Sequence, residues 1–217
     1  MSKIINKFLL ITFALSIVFI CACSNQQNLA NNSSPNKPNN GKNLIVYFSL
    51  PENNGEAKEN STIKVDGSDI GNTEYVANLI NEKIGADVFR IIPVKNYDIN
   101  NHENLVNDAR KEQRENARPE IKDSITNFDD YDNIYLGYPI WWSDLPMILY
   151  TFIENNNFSG KNVYVFSTHG GSGLAGTMNT LKNKLVGANI NSNALSIYRD
   201  NMETAPAEVE KWLNTIK

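Results

Sequence analysis

Asn133-Ile134-Tyr135-Leu136-Gly137-Tyr138 is an almost unbroken apolar run. It is too dense for a strand that shows one face to water, and it suits a strand buried on both faces, the kind found in parallel sheets. Four further runs share this character: Leu44-Ile45-Val46-Tyr47-Phe48, Asp87-Val88-Phe89-Arg90-Ile91-Ile92, Val163-Tyr164-Val165-Phe166-Ser167 and Asn193-Ala194-Leu195-Ser196-Ile197. Helical patterns fall between them. Val76, Leu79, Ile80 and Ile84 share one face, with Gly85 as the stop. Leu145 to Ile153 follows the third run, with Ser143 or Asp144 as cap and Pro146 tolerated in the first turn. Leu174, Met178, Leu181 and Leu185 form a third stripe that Gly187 ends, and Val209, Trp212, Leu213 and Ile216 form the last, capped by Thr204. Residues 102–118 read as a polar, weakly amphipathic helix. Alternating strands and helices of this number predict an open, doubly wound α/β sheet with helices on both faces.

Ligands of such sheets bind beyond the carboxyl ends of the strands, so chemistry is sought after runs one, three and four. After the first comes Ser49 and, further on, Gly71-Asn72-Thr73 opening a helix. Unpartnered first-turn amides, the helix dipole and a glycine suit a phosphate there, although ordinary capping accounts for the same three residues. After the third comes Pro139-Ile140-Trp141-Trp142. Of two adjacent loop tryptophans, one is expected to close the core and the other to offer its face to a flat ligand. After the fourth comes Thr168-His169-Gly170-Gly171-Ser172-Gly173, whose glycines let backbone amides approach a planar, acceptor-rich edge. His169 could donate a hydrogen bond or pass a proton, or simply bond to backbone. His102 is expected to be exposed. Asp144 is the acid nearest these loops, whereas Asp129, Asp130 and Asp132 belong at the other end of the sheet.

The N-terminus has a separate character. Lys3 and Lys7 precede an apolar run from Phe8 to Ile20, too short for a span of roughly 20 residues and suited to a secretory signal. Ile20-Cys21-Ala22-Cys23 resembles a bacterial lipobox, which implies residues 1–22 as signal peptide and Cys23 as the lipidated first residue of the mature chain. The expected location is extracytoplasmic, held to the cell membrane by lipid alone. Residues 23–43 are nearly all polar and are expected to form a disordered tether that places the 44–217 domain roughly 25 Å from the membrane. Both cysteines fall in the signal region, so thiol catalysis and cysteine-ligated metals are excluded from the domain. Loss of the signal's two lysines moves the formal charge from -4 to about -6. With no basic cluster, nucleic acid is not an expected partner.

Together, Leu44 to Ser49, Gly71-Asn72-Thr73, Leu136 to Trp142 and Thr168 to Gly173 resemble the flavodoxin-like family of FMN proteins. The resemblance implies a three-layer sandwich with a five-stranded parallel sheet in order 2-1-3-4-5. It implies that Ser49, Asn72 and Thr73 hold the FMN phosphate, with Gly71 beside them. Pro139, Ile140, Trp141 and Trp142 would then cover the isoalloxazine, and residues 168–173 would line its pyrimidine edge. His169 is the one catalytic candidate. The departure is an insertion at residues 50–70, where Asp66-Gly67 signals a small hairpin that either loops outward or folds over the site. The expected activity is redox transfer from a donor to a quinone or a similar acceptor. A one-electron carrier serving a redox partner protein, and a flavin-free binding lipoprotein, stand as alternatives.

Overall fold

The computed structural model describes residues 41–51 and 61–216. The signal segment, Cys23 and most of the expected tether lie outside them. A parallel sheet carries the fold: β1 (Asn43–Tyr47), β4 (Asp87–Arg90), β5 (Asn133–Pro139) and β6 (Asn162–His169), with the fifth position shared by β7 (Asn189–Ile190) and β8 (Leu195–Tyr198). The order β4-β1-β5-β6, with β7 and β8 both pairing β6, is the expected 2-1-3-4-5. All of these pairings are parallel.

β1, β5 and β6 are buried on both sides because their alternate residues feed two cores. β4, from the second run, lies at the sheet edge instead and leaves Val88 47% exposed. Leu44, Val46, Phe48, Ile134, Leu136, Tyr138, Val163 and Val165 face one core, beneath α2 (His102–Arg114), α3 (Met147–Asn155) and α4 (Thr177–Lys184). Ile45, Tyr47, Tyr135, Tyr164 and Phe166 face the other, beneath α1 (Asn72–Ile84) and α5 (Ala205–Thr215). Gly137 is required by this packing: a Cβ there would lie 2.1 Å from the Phe166 ring.

Several boundaries differ from the sequence expectation for identifiable reasons. β6 runs on through Thr168 and His169, so these two residues end a strand and do not begin a loop. The fifth run, expected from Asn193, becomes β8 only from Leu195, and the short β7 before it was not expected. Between the two the Asn191 side chain accepts from the Asn193 amide in a local turn. α3 starts at Met147 with Pro146 as cap, because Ser143 and Asp144 are taken into the preceding turn. α4 starts at Thr177 instead of Leu174, and α2 stops at Arg114, four residues short of Arg118. The hairpin in the insertion forms as expected, with β2 (Thr62–Val65) and β3 (Ser68–Gly71) antiparallel across Asp66 and Gly67, both at positive φ. Its second strand ends at Gly71, which is also the residue that caps α1.

At the N-terminal end of the sheet, opposite the carboxyl ends of the strands, the register aligns Asn43, Asn133, Asn162 and Asn189. Their side-chain amides form a ladder of hydrogen bonds across four strands, at 2.9, 3.0 and 3.4 Å. Asp132 is at this same end, its amide bonded to the Lys42 carbonyl.

Candidate functional site

The segments after β1, β5 and β6 meet at the carboxyl end of the sheet. The first contributes Ser49, whose hydroxyl is buried and accepts from the Glu74 amide at 3.2 Å. Gly71 sits so close that a Cβ would lie 2.1 Å from Ser49 Oγ, so the two residues flanking the insertion do converge. Asn72 and Thr73 are buried beside them. Thr73 Oγ1 lies 2.8 Å from Thr168 Oγ1, which ties the start of α1 to the end of β6. Asn72 Oδ1 is buried with no hydrogen-bond partner, an arrangement that costs about 1–3 kcal/mol unless a ligand or water answers it. The hairpin reaches this point as well: the Ser61 carbonyl accepts from the Asn72 amide at 2.7 Å. Part of the helix N-terminus is therefore already capped by the insertion.

The second segment turns sharply. Trp142 and Ser143 both have positive φ, at 49° and 62°, and backbone bonds join Trp141 and Asp144 in both directions. Two consecutive left-handed residues without glycine are uncommon and concentrate where a site requires them. The Asp144 carboxylate anchors the turn by accepting from Tyr150 and Thr180, so it is engaged in structure rather than free to face a ligand. The two tryptophans divide the labour. Trp141 meets Phe48 and Tyr97 edge to face, with ring centroids 5.4 Å away in each case, and joins the core. Trp142 stays 44% exposed, its Nε1 donating to the Val106 carbonyl of α2 and the Arg110 guanidinium 4.7 Å from its ring.

In the third segment His169 Nδ1 accepts from the amides of Gly171 and Gly173, at 2.9 and 3.2 Å. An Nδ1 that accepts places the ring proton on Nε2 in the neutral imidazole. Burial holds this histidine below its ordinary range, in favour of that neutral form. The Tyr198 ring lies 5.7 Å from it.

These segments enclose a cavity of about 310 Å³, the size of a small-molecule site. Of the residues singled out in the sequence, Asn72, Pro139, Ile140, Trp141, Trp142, Thr168, His169 and Gly170 line it. A narrow recess of about 40 Å³ adds Ser49 and Thr73. Gly71, Gly171, Ser172 and Gly173 are not in either lining; the last three form the turn that the His169 side chain holds. Sequence reasoning missed one whole wall, contributed by α2 through Leu105, Val106 and Ala109, together with Ser61 and Arg199. His102, expected to be exposed, is half-buried and belongs to that wall. The Leu105 and Ala109 pair, one helical turn apart, was the available signal.

A sheet in order 2-1-3-4-5 with a cleft beyond strands one, three and four defines a flavodoxin-like α/β domain. A sequence model of the flavodoxin family matches residues 65–216, and the chain belongs to that family. Its structure is similar to that of a candidate flavoprotein from Bacteroides eggerthii DSM 20697, with 28% identity, TM-score 0.60 and coverage of 82% of this chain and 98% of that one. A candidate flavoprotein from Bacteroides uniformis ATCC 8492 is 25% identical, at TM-score 0.56 over 80% and 98% of the two chains. A Lactobacillus acidophilus NCFM flavoprotein in complex with FMN shares the fold at 19% identity and TM-score 0.55, over 80% of this chain and 99% of that one. No curated protein matches the chain.

Proposed function

We propose that the cavity binds FMN and that the protein is a redox protein working outside the cytoplasmic membrane. The observation that carries the reading is the junction of a small polar recess with a larger slot that has tryptophan on its wall. The recess fits a phosphate on its own chemistry. Ser49 and Thr73 supply hydroxyls, Gly71 lets Ser49 pack against the start of α1, and Asn72 has a buried, unanswered amide oxygen. Oxygen and nitrogen of a side-chain amide have the same shape, so rotating the Asn72 amide presents an N–H₂ donor to a phosphate there. The similar fold of the FMN-bound Lactobacillus protein supports the assignment.

When bound, FMN supplies electron transfer, and the protein supplies position and electrostatics. On this reading Ser49, Asn72 and Thr73 hold the phosphate, and Pro139 to Trp142 cover the ring system. His169 acts as a neutral donor through Nε2–H, because its other nitrogen is committed to the Gly171 and Gly173 amides. Leu105, Val106 and Ala109 keep water from one side of the cavity. The partners are a reduced donor and a quinone or similar acceptor. Location and tether follow from the sequence, with Cys23 as the lipidated residue; Cys23→Ser should move the protein from the membrane fraction to the soluble extracytoplasmic fraction.

The first test is the absorbance spectrum of the purified full-length chain with and without added FMN. Bound flavin with quenched fluorescence supports the reading. A colourless protein that retains no FMN at micromolar concentration overturns it.

A further inference from the structure

The cavity differs in charge from the chain around it. The whole chain has a formal charge of -4, yet among the described residues the cavity is lined by Arg199, His102 and His169 and by no carboxylate. Arg199 follows β8 directly, and its guanidinium carbon would lie 3.5 Å from a Cβ placed at Gly170, so the group packs against the backbone of the third segment. Its Nε is shielded from solvent and has no hydrogen-bond acceptor. Arg199 keeps one long ion pair, to an Asp200 carboxylate 3.8 Å from Nε that is beyond hydrogen-bond range, half exposed and not part of the lining. A guanidinium is charged at any pH relevant to folding and carries five donors, so shielding one of them without an acceptor is unfavourable. The narrow recess beside Ser49 and Thr73 does not include Arg199, so its charge lies in the wider part of the cavity.

Resting on the FMN reading above, we propose that Arg199 sets the charge preference of the cavity by holding the negative charge that reduction leaves there. Two electrons and one proton from a reductant such as dithionite leave one net negative charge on a ring system that is neutral when oxidised. A fixed cation whose solvent-shielded Nε–H donor is unused stabilises that charge where it forms and requires little reorganisation. The site thereby favours complete two-electron reduction, which suits an acceptor that takes electrons in pairs.

The test uses the purified full-length chain loaded with FMN, as wild type, Arg199→Gln and Arg199→Lys. Two quantities are read: the midpoint potential for complete reduction across pH, and the dissociation constants of oxidised FMN and riboflavin. Arg199→Gln should weaken binding of reduced relative to oxidised FMN by about tenfold, a fall of about 30 mV for a two-electron couple. The pH dependence should move from one proton per two electrons towards two, and Arg199→Lys should keep most of the wild-type potential. The preference for FMN over riboflavin should stay unchanged in all three proteins. A potential unchanged in Arg199→Gln overturns the proposal. So does a lost preference for FMN over riboflavin, which would make Arg199 the phosphate's partner. Wild-type protein that retains no FMN overturns the cofactor reading itself, and this proposal with it. If Arg199→Gln does not fold, Arg199→Met removes the same charge without a polar stub and is judged on the same two readouts.

Discussion

Thr73 Oγ1 and Thr168 Oγ1 lie 2.8 Å apart, both buried, and join two site segments that are 95 residues apart in the chain. The bond fixes the start of α1 to the end of β6, and so fixes the polar recess against the wider cavity. Thr168→Val leaves the Thr73 hydroxyl buried without this partner, which should cost about 1–2 kcal/mol in a denaturant titration. The double variant Thr73→Val, Thr168→Val should recover much of that loss, since two apolar groups of the same shape replace a matched polar pair. FMN affinity should not recover with it, because the recess loses a hydroxyl that the phosphate needs. Recovery of both quantities together would show that Thr73 serves only the fold.

Gly71 offers a cleaner separation of site from stability. Its φ of -68° is open to any residue, so Gly71→Ala introduces no backbone strain. The new methyl would instead meet Ser49 Oγ at 2.1 Å and the Leu50 carbonyl at 3.0 Å. Relief requires Ser49 and the start of α1 to move apart, which opens the recess. Overpacking of this kind costs about 1–3 kcal/mol. FMN affinity should fall by more than the stability loss would suggest, with riboflavin affinity little changed. An equal loss for both ligands would place the phosphate elsewhere.

The tryptophans should respond differently. Trp141 contacts Phe48 and Tyr97 within the core, so Trp141→Ala should cost about 2–3 kcal/mol, less than a fully buried indole because Trp141 is only partly covered. Trp142 is 44% exposed, and Trp142→Ala should leave the unfolding midpoint close to wild type. If Trp142 faces the flavin, its removal should restore flavin fluorescence that the wild type quenches. Quenching that survives in Trp142→Ala would move the platform role to Trp141.

Much of this arrangement was legible from local pattern. Apolar runs buried on both faces announced the parallel sheet, and Asp66-Gly67 announced the hairpin, because each signal is complete within a few residues. The α2 wall was not legible, since residues 102–114 are mostly polar and only packing shows that Leu105 and Ala109 face inwards. Arg199 was hidden for a related reason. Nothing near it in sequence resembles a site, and it reaches the cavity only because β8 pairs with β6 and delivers the chain beside Gly170. Asp144 shows the converse: sequence position placed it near the ligand, and hydrogen bonds from Tyr150 and Thr180 commit it to the turn.

His169 gives the site a pH dependence of defined sign. Burial holds its folded-state pKa below the ordinary value of 6.5. Between the two values the unfolded chain binds more protons, so stability rises with pH across that window. The contribution is fully present above about pH 6.5 and is lost as pH falls through the depressed folded value. Protonation of Nδ1 also removes the acceptor for the Gly171 and Gly173 amides, so their protection relative to an unstructured chain at the same pH should fall at the same time. His169→Asn keeps an acceptor at the same number of bonds from the backbone and does not titrate. It should hold the turn while abolishing this pH dependence, and a dependence that persists in His169→Asn would assign the titration to another group.

The asparagine ladder at the far end of the sheet makes a prediction about the fold alone. Asn133 is fully buried and stands in the middle, donating to Asn43 and accepting from Asn162. Parallel strands carry no hairpins to set their register, so here matching side chains hold the strand starts level. Asn133→Leu fills a similar volume but strands the Asn43 oxygen and the Asn162 amide. Each unsatisfied group costs about 1–3 kcal/mol, less where water can reach it, and Asn162 is only partly buried. A total loss of about 2–3 kcal/mol is therefore expected in chemical denaturation. Asn189→Ala, at the longest bond and on an exposed residue, should cost well under 1 kcal/mol. FMN affinity should be the same in both variants as in the wild type, because the ladder and the cavity lie at opposite ends of the strands. A ligand-binding defect in Asn133→Leu at a temperature where the variant is fully folded would mean that strand register is transmitted along β5 to Pro139 and Trp141.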